Sequence, residues 1–327
     1  MTTIKHTEQL VEKINTIINQ LTFPKKPANL YNPIKYVIGN AGKRLRPILF
    51  LHAIQLFSKL QEDHIFPAVG LEIFHNFTLI HDDIMDNSEI RRNHLTVHKK
   101  WNKNIAILSG DAAMILATKY FLSLDEKILH AVLTEFNKMA LEICEGQQYD
   151  MDFESRSNIS VSEYLEMIRL KTAVFLASTL KMGAIVGNAA KVQQEMLYEA
   201  GINFGLAFQL QDDYLDLFGN QKTFGKKTGN DILDKKKTFL FIKAIEKANQ
   251  NEKTLLLSLL NDDKIPPERR INDIKTLFCK LNIDKLTQTT IQNFYHQGFS
   301  YINRVNGNKD VMIEIKMFFE KMQQRIS

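Results

Sequence analysis

One five-residue pattern occurs twice in this chain, as Asp82-Asp83-Ile84-Met85-Asp86 and as Asp212-Asp213-Tyr214-Leu215-Asp216, each inside a stretch of helical periodicity. Each copy concentrates three carboxylates within about one and a half helical turns, where like charges destabilise an isolated helix by roughly 0.2–0.5 kcal/mol per pair. Something cationic must offset that repulsion. The copies are about 130 residues apart, so they belong to different helices, which must face each other if both are to grip one ligand. A single copy would read as a solvated helix face or a helix start. Two copies with basic partners point to a site for several magnesium ions.

Punctuation is sparse. With 14 Gly and 7 Pro among 327 residues there are too few turn formers for a β-sandwich or barrel, and no regular succession of alternating strands appears. Helices should dominate, and 44% hydrophobic residues can fill a sizeable core. Apolar-periodic stretches near 8–22, 66–90, 105–122, 126–150, 161–187, 192–218, 235–261, 267–281, 284–304 and 308–325, with a helix beginning near Leu45 to Pro47, predict an all-α chain. Pro24 to Pro33, with three prolines, reads as a connector, and no linker divides the single domain expected over 1–327.

The formal charge of +5 is spread along the chain, with no basic stripe interleaved with aromatics, which favours an anionic small molecule over nucleic acid. Cys144 and Cys279 are too few for a disulfide framework or a four-ligand zinc site and suit a reducing cytoplasm. Residues 1–10 are polar, and even Ile105 to Leu122 is interrupted by Asp111, so neither a signal peptide nor membrane insertion is expected.

At 100° per residue, Asp82 and Asp86 share a helix face with His75, while Ile73, Phe77, Ile80 and Ile84 form a separate apolar stripe. In the second copy Gly205, Gln209, Asp212 and Asp216 share a face near Phe208, and the glycine is expected to leave room for a ligand. Magnesium takes oxygen ligands and is held by one or two carboxylates plus phosphate oxygens, so facing aspartate clusters suit a magnesium–diphosphate complex. Gly42-Lys43-Arg44-Leu45-Arg46-Pro47 and Arg91-Arg92 are candidate diphosphate clamps, because Arg forks match phosphate oxygens and a helix N-terminus adds backbone donors. By the same reading Lys99-Lys100 and the run Lys235-Lys236-Lys237 are solvated surface. Gly42-Lys43 is no Walker motif, since Val37 replaces its first Gly and Arg44 its Ser or Thr. Glu72-Ile73-Phe74-His75 lacks the second Glu-x-x-His of a di-iron bundle.

Taken together, Gly42-Lys43-Arg44-Leu45-Arg46-Pro47, His81-Asp82-Asp83-Ile84-Met85-Asp86-Asn87, Arg91-Arg92, Lys171-Thr172, Phe208-Gln209-Leu210-Gln211-Asp212-Asp213-Tyr214-Leu215-Asp216 and Gly225-Lys226 closely resemble the trans-prenyltransferases, the polyprenyl or isoprenyl diphosphate synthases. The resemblance runs from about residue 39 to 240. It implies an all-α, isoprenoid-synthase-type helical bundle around a deep central cavity, usually a homodimer, that joins an allylic diphosphate to isopentenyl diphosphate head to tail. It further implies magnesium held by Asp82, Asp83, Asp86, Asp212, Asp213 and Asp216. Lys43, Arg46, His75 and Arg92 resemble the residues that hold isopentenyl diphosphate. Arg91, Lys171, Thr172, Gln209, Lys226 and Lys236 resemble those around the allylic substrate, with Thr172 and Gln209 near the nascent cation. Lys227 stands as the alternative to Lys226, and a surface lysine as the alternative role for Lys236.

In this family the residues five and four before the first aspartate, here Phe77 and Thr78, can block the growing chain. One bulky residue beside Thr78 lies between the farnesyl and long-chain patterns, and twenty-carbon geranylgeranyl diphosphate is the first choice, followed by farnesyl diphosphate and longer polyprenyl products. Ordinary core packing also accounts for Phe77. A terpene cyclase and a non-catalytic subunit of a hetero-oligomeric synthase are the readings from other classes; the intact second aspartate motif and clamp residues argue against both.

Overall fold

In the computed structural model, which describes residues 2–40, 42–156, 158–219 and 228–324, the periodic stretches fold as helices, and the only strands among the described residues are two of two residues each. The fold is all-α, as the patterning predicts. The chain forms two compact units, one of residues 1–136, 179–194 and 306–315, the other of residues 137–178, 195–305 and 316–327.

The first unit contains α1 (Thr2–Gln20), α2 (Ala28–Gly39), α3 (Leu45–Gln55), α4 (Ile65–Met85), β1 (Ile90–Arg91), β2 (His94–Leu95), α5 (Val97–Lys100), α6 (Lys103–Phe121) and the start of α7 (Glu126–Ser155). α4 is apolar on nearly all sides, with Val69, Leu71, Ile73 and Phe74 fully buried, so it must be covered all round. α6 packs along it closely enough that a Cβ on Gly70 would stand 2.9 Å from the Ala117 carbonyl oxygen. Phe74, Phe121 and Phe136 form a ring cluster, with Phe136 centred 5.0 Å from Phe74 and 4.8 Å from Phe121. Each such burial contributes about 1.5–3 kcal/mol.

A buried ion pair cross-links this apolar unit. Arg44, buried and left-handed at φ 50°, precedes α3 and donates to Glu72 Oε1 at 2.6 Å, to Asn15 Oδ1 at 3.0 Å and to the Ile38 carbonyl at 3.0 Å. One guanidinium thereby ties α1, α2 and α4 to the start of α3.

The second unit holds α8 (Val161–Ile168), a π-helical segment (Arg169–Ala173), the start of α9 (Val174–Val186) and most of α10 (Lys191–Phe218). It continues with α11 (Asn230–Leu233), α12 (Phe239–Lys247), α13 (Gln250–Asn261), α14 (Pro267–Lys280), α15 (Ile283–Asn303) and the end of α16 (Lys309–Gln323). Phe204 and Phe319 stack at 3.7 Å beside buried Tyr295. A second cluster of Leu240, Leu256, Ile274 and Phe278 joins α12 to α14. Two glycines admit the π segment between their helices: a Cβ on Gly146 would lie 2.3 Å from the Lys171 backbone nitrogen, and one on Gly205 would lie 2.4 Å from Ala173 Cα.

Four expectations change. Residues 24–33 are not all connector, because α2 forms through Pro33 and buries Ile34 and Ile38, which offsets the hydrogen bond that proline removes. The stretch 66–90 stops at Met85 and gives way to the hairpin. The stretch 161–187 is interrupted by the π segment, and 235–261 is two helices, the second begun by Asn249 and Glu252, whose side chains each accept from the other's backbone N–H.

Candidate active site

The first aspartate motif occupies the last turn of α4, with Asp86 as C-cap, its N–H donating to the Asp82 carbonyl at 2.8 Å. A helix C-terminus carries negative potential, so three carboxylates there are disfavoured twice, by one another and by the helix dipole. Asp82 is half-buried and Asp86 exposed, whereas Asp83 is buried and accepts from Arg91 Nε at 2.7 Å. Burial raises the Asp83 carboxyl above its usual range, with Arg91 pulling it back.

Arg91 and Arg92 follow not on a helix but on a hairpin in which Ile90 pairs with Leu95 and Arg91 with His94. Arg92 and Asn93 form the turn at φ 52° and 64°, the two positive angles of a type I′ connection. An arginine held there costs on the order of 1–3 kcal/mol, a strain found where backbone geometry aims a functional side chain. Arg92 lies against Gly42, where a Cβ would stand 2.9 Å from its guanidinium, and it donates to the Asn40 carbonyl at 3.3 Å.

Cations crowd here. Burial pushes Arg46 down to about 10, against the pull of Glu72 and with a further push from Arg92. Burial also lowers Arg92, with Glu72 opposing and Arg44 and Arg91 adding to the effect. His75, two turns before Asp82, is held well below its ordinary value by burial and by Arg46, Arg92, Arg91 and Arg44 in turn, and so stays neutral. Arg46, His75, Arg91 and Arg92 are therefore brought together, with Lys43 exposed just before α3. Mutual repulsion among cations around a neutral imidazole is the electrostatic signature of an anion site. Arg44 serves differently, as the buried partner of Glu72.

In the second unit the motif lies in the last turns of α10, again at a negative helix pole. Asp213 is buried; it accepts from the Tyr164 hydroxyl and, at 3.0 Å, from Gln209 Nε2, and Gln209 Oε1 in turn accepts from Thr172 Oγ1 at 3.1 Å. Burial raises Asp213 to about 7, with the Tyr164 and Gln209 hydrogen bonds opposing and Asp212 adding. Asp216 accepts the Asp231 N–H at 3.0 Å and is raised by burial. Asp231 is raised to about 8 by burial and then by Asp213 and Asp216, with Lys236 opposing. Lys171 donates to Asp150 Oδ2 at 2.6 Å. Lys171 and Thr172 both lie on the π segment, a helix irregularity frequent at functional sites.

These arrangements match a known group of proteins. The polyprenyl synthetase family model matches residues 27–277. The chain belongs to this family. It is accordingly a prenyltransferase. It is 38% identical to a short chain isoprenyl diphosphate synthase of Methanocaldococcus jannaschii, over 80% of this chain and 79% of that protein. It is 37% identical to a geranylgeranyl diphosphate synthase of Methanosarcina mazei, over 76% of this chain and 77% of that protein. A crystal structure of geranylgeranyl pyrophosphate synthase superposes with a TM-score of 0.92 at 37% identity, covering 98% of both chains.

In each unit of this polyprenyl synthetase a helix C-terminus offers carboxylate oxygens, the donor type of a hard divalent cation, and several of them are raised by burial and by their own neighbours, a strain that a bound cation relieves. Among the described residues no group of three His, Cys, Asp or Glu side chains could by itself hold a metal ion. Gly225, Lys226 and Lys227 lie outside the described residues. The space expected at Gly205 is taken by Ala173, so that glycine serves helix packing, not ligand entry. The lysine run is not uniform surface: Lys236 counterbalances Asp213, Asp216 and Asp231, and Lys237 donates to the Phe153 carbonyl at 2.8 Å and the Glu154 carbonyl at 3.0 Å, capping α7. Phe77 is half-buried between the rings of Phe74 and His81, and Thr78 Oγ1 donates to the His75 carbonyl at 2.9 Å.

Asp231, Asp150 and Tyr164 escaped the sequence reading. Asp231 carried a faint signal, an acid two residues after Gly229 in the loop that follows the second motif. The other two carried none, because a lone Asp and a lone Tyr on amphipathic helices look like ordinary surface and core.

Proposed function

We propose that this prenyltransferase condenses isopentenyl diphosphate with allylic diphosphates, head to tail, and stops at geranylgeranyl diphosphate. The observation that carries the reading is the crowding of Arg46, Arg91 and Arg92 around neutral His75, beside an aspartate motif whose outer carboxylates are half-buried or exposed. An anion and a cation are both provided for within a few helical turns, as a diphosphate ester and its metal require.

Asp82, Asp83, Asp86, Asp212, Asp213 and Asp216 would hold magnesium, with Asp83, Asp213 and Asp216 already oriented by protein donors. Bound there, magnesium supplies Lewis-acid neutralisation of the departing diphosphate. Arg91, Lys171, Lys226 and Lys236 add fixed positive charge to the allylic diphosphate, while Lys43, Arg46, His75 and Arg92 anchor isopentenyl diphosphate. The allylic C1–O bond breaks and diphosphate leaves with the electron pair. Thr172 and Gln209, joined by a hydrogen bond, present oxygens that stabilise the allylic cation. The isopentenyl double bond attacks that cation to form the new C–C bond, and one proton is lost to the released diphosphate. Asp150 holds Lys171 ready in the meantime.

Both units of the chain act as one catalytic domain in this reading. The enzyme works as a homodimer: Leu108 and Ile115 on α6 and Leu122 at its C-cap recur every seven residues and are 60%, 71% and 61% exposed, an apolar stripe that a second copy would cover. It works in the cytoplasm, in keeping with two cysteines that form no disulfide. No helix among the described residues is long and apolar enough to cross a membrane.

The test is incubation of the purified protein with magnesium, isopentenyl diphosphate and, separately, dimethylallyl, geranyl and farnesyl diphosphates, with the dephosphorylated products identified by mass. Elongation ending at twenty carbons is expected. Products ending elsewhere would reassign the chain length, and no elongation from any primer would sink the proposal. Phe77→Ala is expected to lengthen the product; an unchanged distribution would remove Phe77 as the floor.

A further inference from the structure

The close packing of α4 on α6 has a second glycine contact, and it involves a side chain that the mechanism does not use. A Cβ on Gly110 of α6 would lie 2.2 Å from His81 Nε2 and 2.5 Å from its Cδ2, so the imidazole rests directly on the glycine backbone. No other residue type admits the ring there. Its Nε2 lies 3.2 Å from the Ile107 carbonyl oxygen, which can only accept, so the proton is on Nε2. The same nitrogen is 3.8 Å from Asp111 Oδ1.

On α4 the His81 ring meets Phe77 edge to face, with centroids 4.9 Å apart and planes at 67°. The other side of Phe77 is met by Phe74 at 5.4 Å, and Phe74 is fixed against Phe136 in the core. Phe77 thus stands between one immobile ring and one ring tethered to the neighbouring helix. The contacts at Gly70 and Gly110 pin α4 to α6 on either side of it along the chain. A residue that stops a growing hydrocarbon must not yield, because burying another isoprene unit rewards any displacement of the blocking ring.

We propose that His81 is a positioning residue for product length, its imidazole seated on Gly110 and bracing Phe77 as the stop for the growing chain. This rests on the reading of Phe77 as that stop. His81 touches no reacting atom; it acts through Phe77 alone.

The experiment compares His81→Ala, Phe77→Ala, the double variant and Gly110→Ala, each purified and supplied with magnesium, isopentenyl diphosphate and geranyl diphosphate, with chain lengths read by mass. His81→Ala is expected to move the distribution toward products longer by one isoprene unit or more, because Phe77 can then swing into the vacated space. In the Phe77→Ala background the same change is expected to add nothing, the non-additivity that marks action through a shared partner. Gly110→Ala, remote from the metal-binding carboxylates, is expected to drive the ring toward Phe77 and shorten the product, and it decides the matter if His81→Ala is inactive. A merely structural role for His81 would lower yield without changing the ratio of chain lengths. If Phe77→Ala lengthens the product while His81→Ala and Gly110→Ala leave the ratio unchanged, the bracing role is wrong and the Phe77 reading stands. If Phe77→Ala changes nothing, the Phe77 reading falls, and this proposal with it.

Discussion

The two aspartate motifs have the same spacing and the same place at the end of a helix, yet their surroundings differ in kind. Around α4 the counterweight is full charge: Asp83 is paired with Arg91, and Glu72 faces Arg44, Arg46 and Arg92. Around α10 it is mostly hydrogen bonding: Tyr164 and Gln209 donate to Asp213, backbone N–H groups serve Asp216, and Lys236 opposes all three raised acids. A spacing fixes which carboxylates share a face, but their neighbours decide which of them stays ionised. The first region is built to receive a negative group beside its acids, the second to hold acids together until a cation arrives.

The largest effects should come from breaking that asymmetry at the carboxylates. Asp82→Asn removes a charge from the open side of the first motif and is expected to cost about a hundred- to a thousandfold in kcat, the scale of losing one preorganised electrostatic contact. Asp213→Asn is expected to cost less than about a hundredfold, because Asp213 is buried and already held by Tyr164 and Gln209 and does not stand on the open side of its motif. The amide oxygen can still accept from Gln209, and the Tyr164 hydroxyl can turn to accept from the amide nitrogen. Steady-state kinetics with saturating magnesium decide it; equal losses in the two variants would show that the motifs are equivalent after all.

Stability separates the regions next. Glu72→Ala strands Arg44 in the core beside Arg46 and Arg92 and should destabilise the protein by about 3–5 kcal/mol, as removal of one partner from a buried ion pair does. Tyr164→Phe removes one neutral donor from Asp213 and should cost about 1–3 kcal/mol. Urea unfolding of both variants ranks them, and a Glu72→Ala protein as stable as Tyr164→Phe would refute the charge-based account of the first region.

How much of this was legible in the sequence follows from the range of each signal. Helices with a one-sided stripe, such as α14 and α15, were read nearly to their ends, since periodicity and caps are local. The end of α4 at Met85 was not, because Ile84 and Ile90 continue an apolar pattern and only the left-handed Arg92-Asn93 turn, which no Gly announces, makes the hairpin. The site was legible where residues are contiguous: the aspartates, Lys171-Thr172, Arg91-Arg92. Lys236 was reached only through the family resemblance, with a surface lysine as its alternative role. The role of Gly205 was misread because a glycine on a helix face looks alike whether a ligand or another backbone approaches. Tyr164 entered through its hydrogen bond to Asp213 and Asp231 through its N–H bond to Asp216, which no spacing encodes.

The smallest expected effect is also the most diagnostic of the difference between regions, because it changes sign between them. His75 in the folded protein titrates well below 6.5, so on acidification the unfolded chain takes up its proton first. Stability should therefore fall as pH drops below about 6.5, by at most about 1.4 kcal/mol per pH unit from this group. Asp213 behaves oppositely. Its folded value near 7 lies above the ordinary 3.8, so between these values the folded protein keeps a proton that the unfolded chain has lost, and stability falls as pH rises through that window. Urea midpoints measured from pH 4 to 8 in chelator, for the parent protein, His75→Gln and Asp213→Asn, read the two slopes apart. His75→Gln should remove the loss of stability on acidification below about 6.5, and Asp213→Asn should remove the opposing loss of stability as pH rises toward 7. Adding isopentenyl diphosphate should partly mimic His75→Gln, since an anion among Arg46, Arg91 and Arg92 screens the charges that hold His75 neutral. An acid slope that survives in His75→Gln would mean that the buried imidazole is not its source.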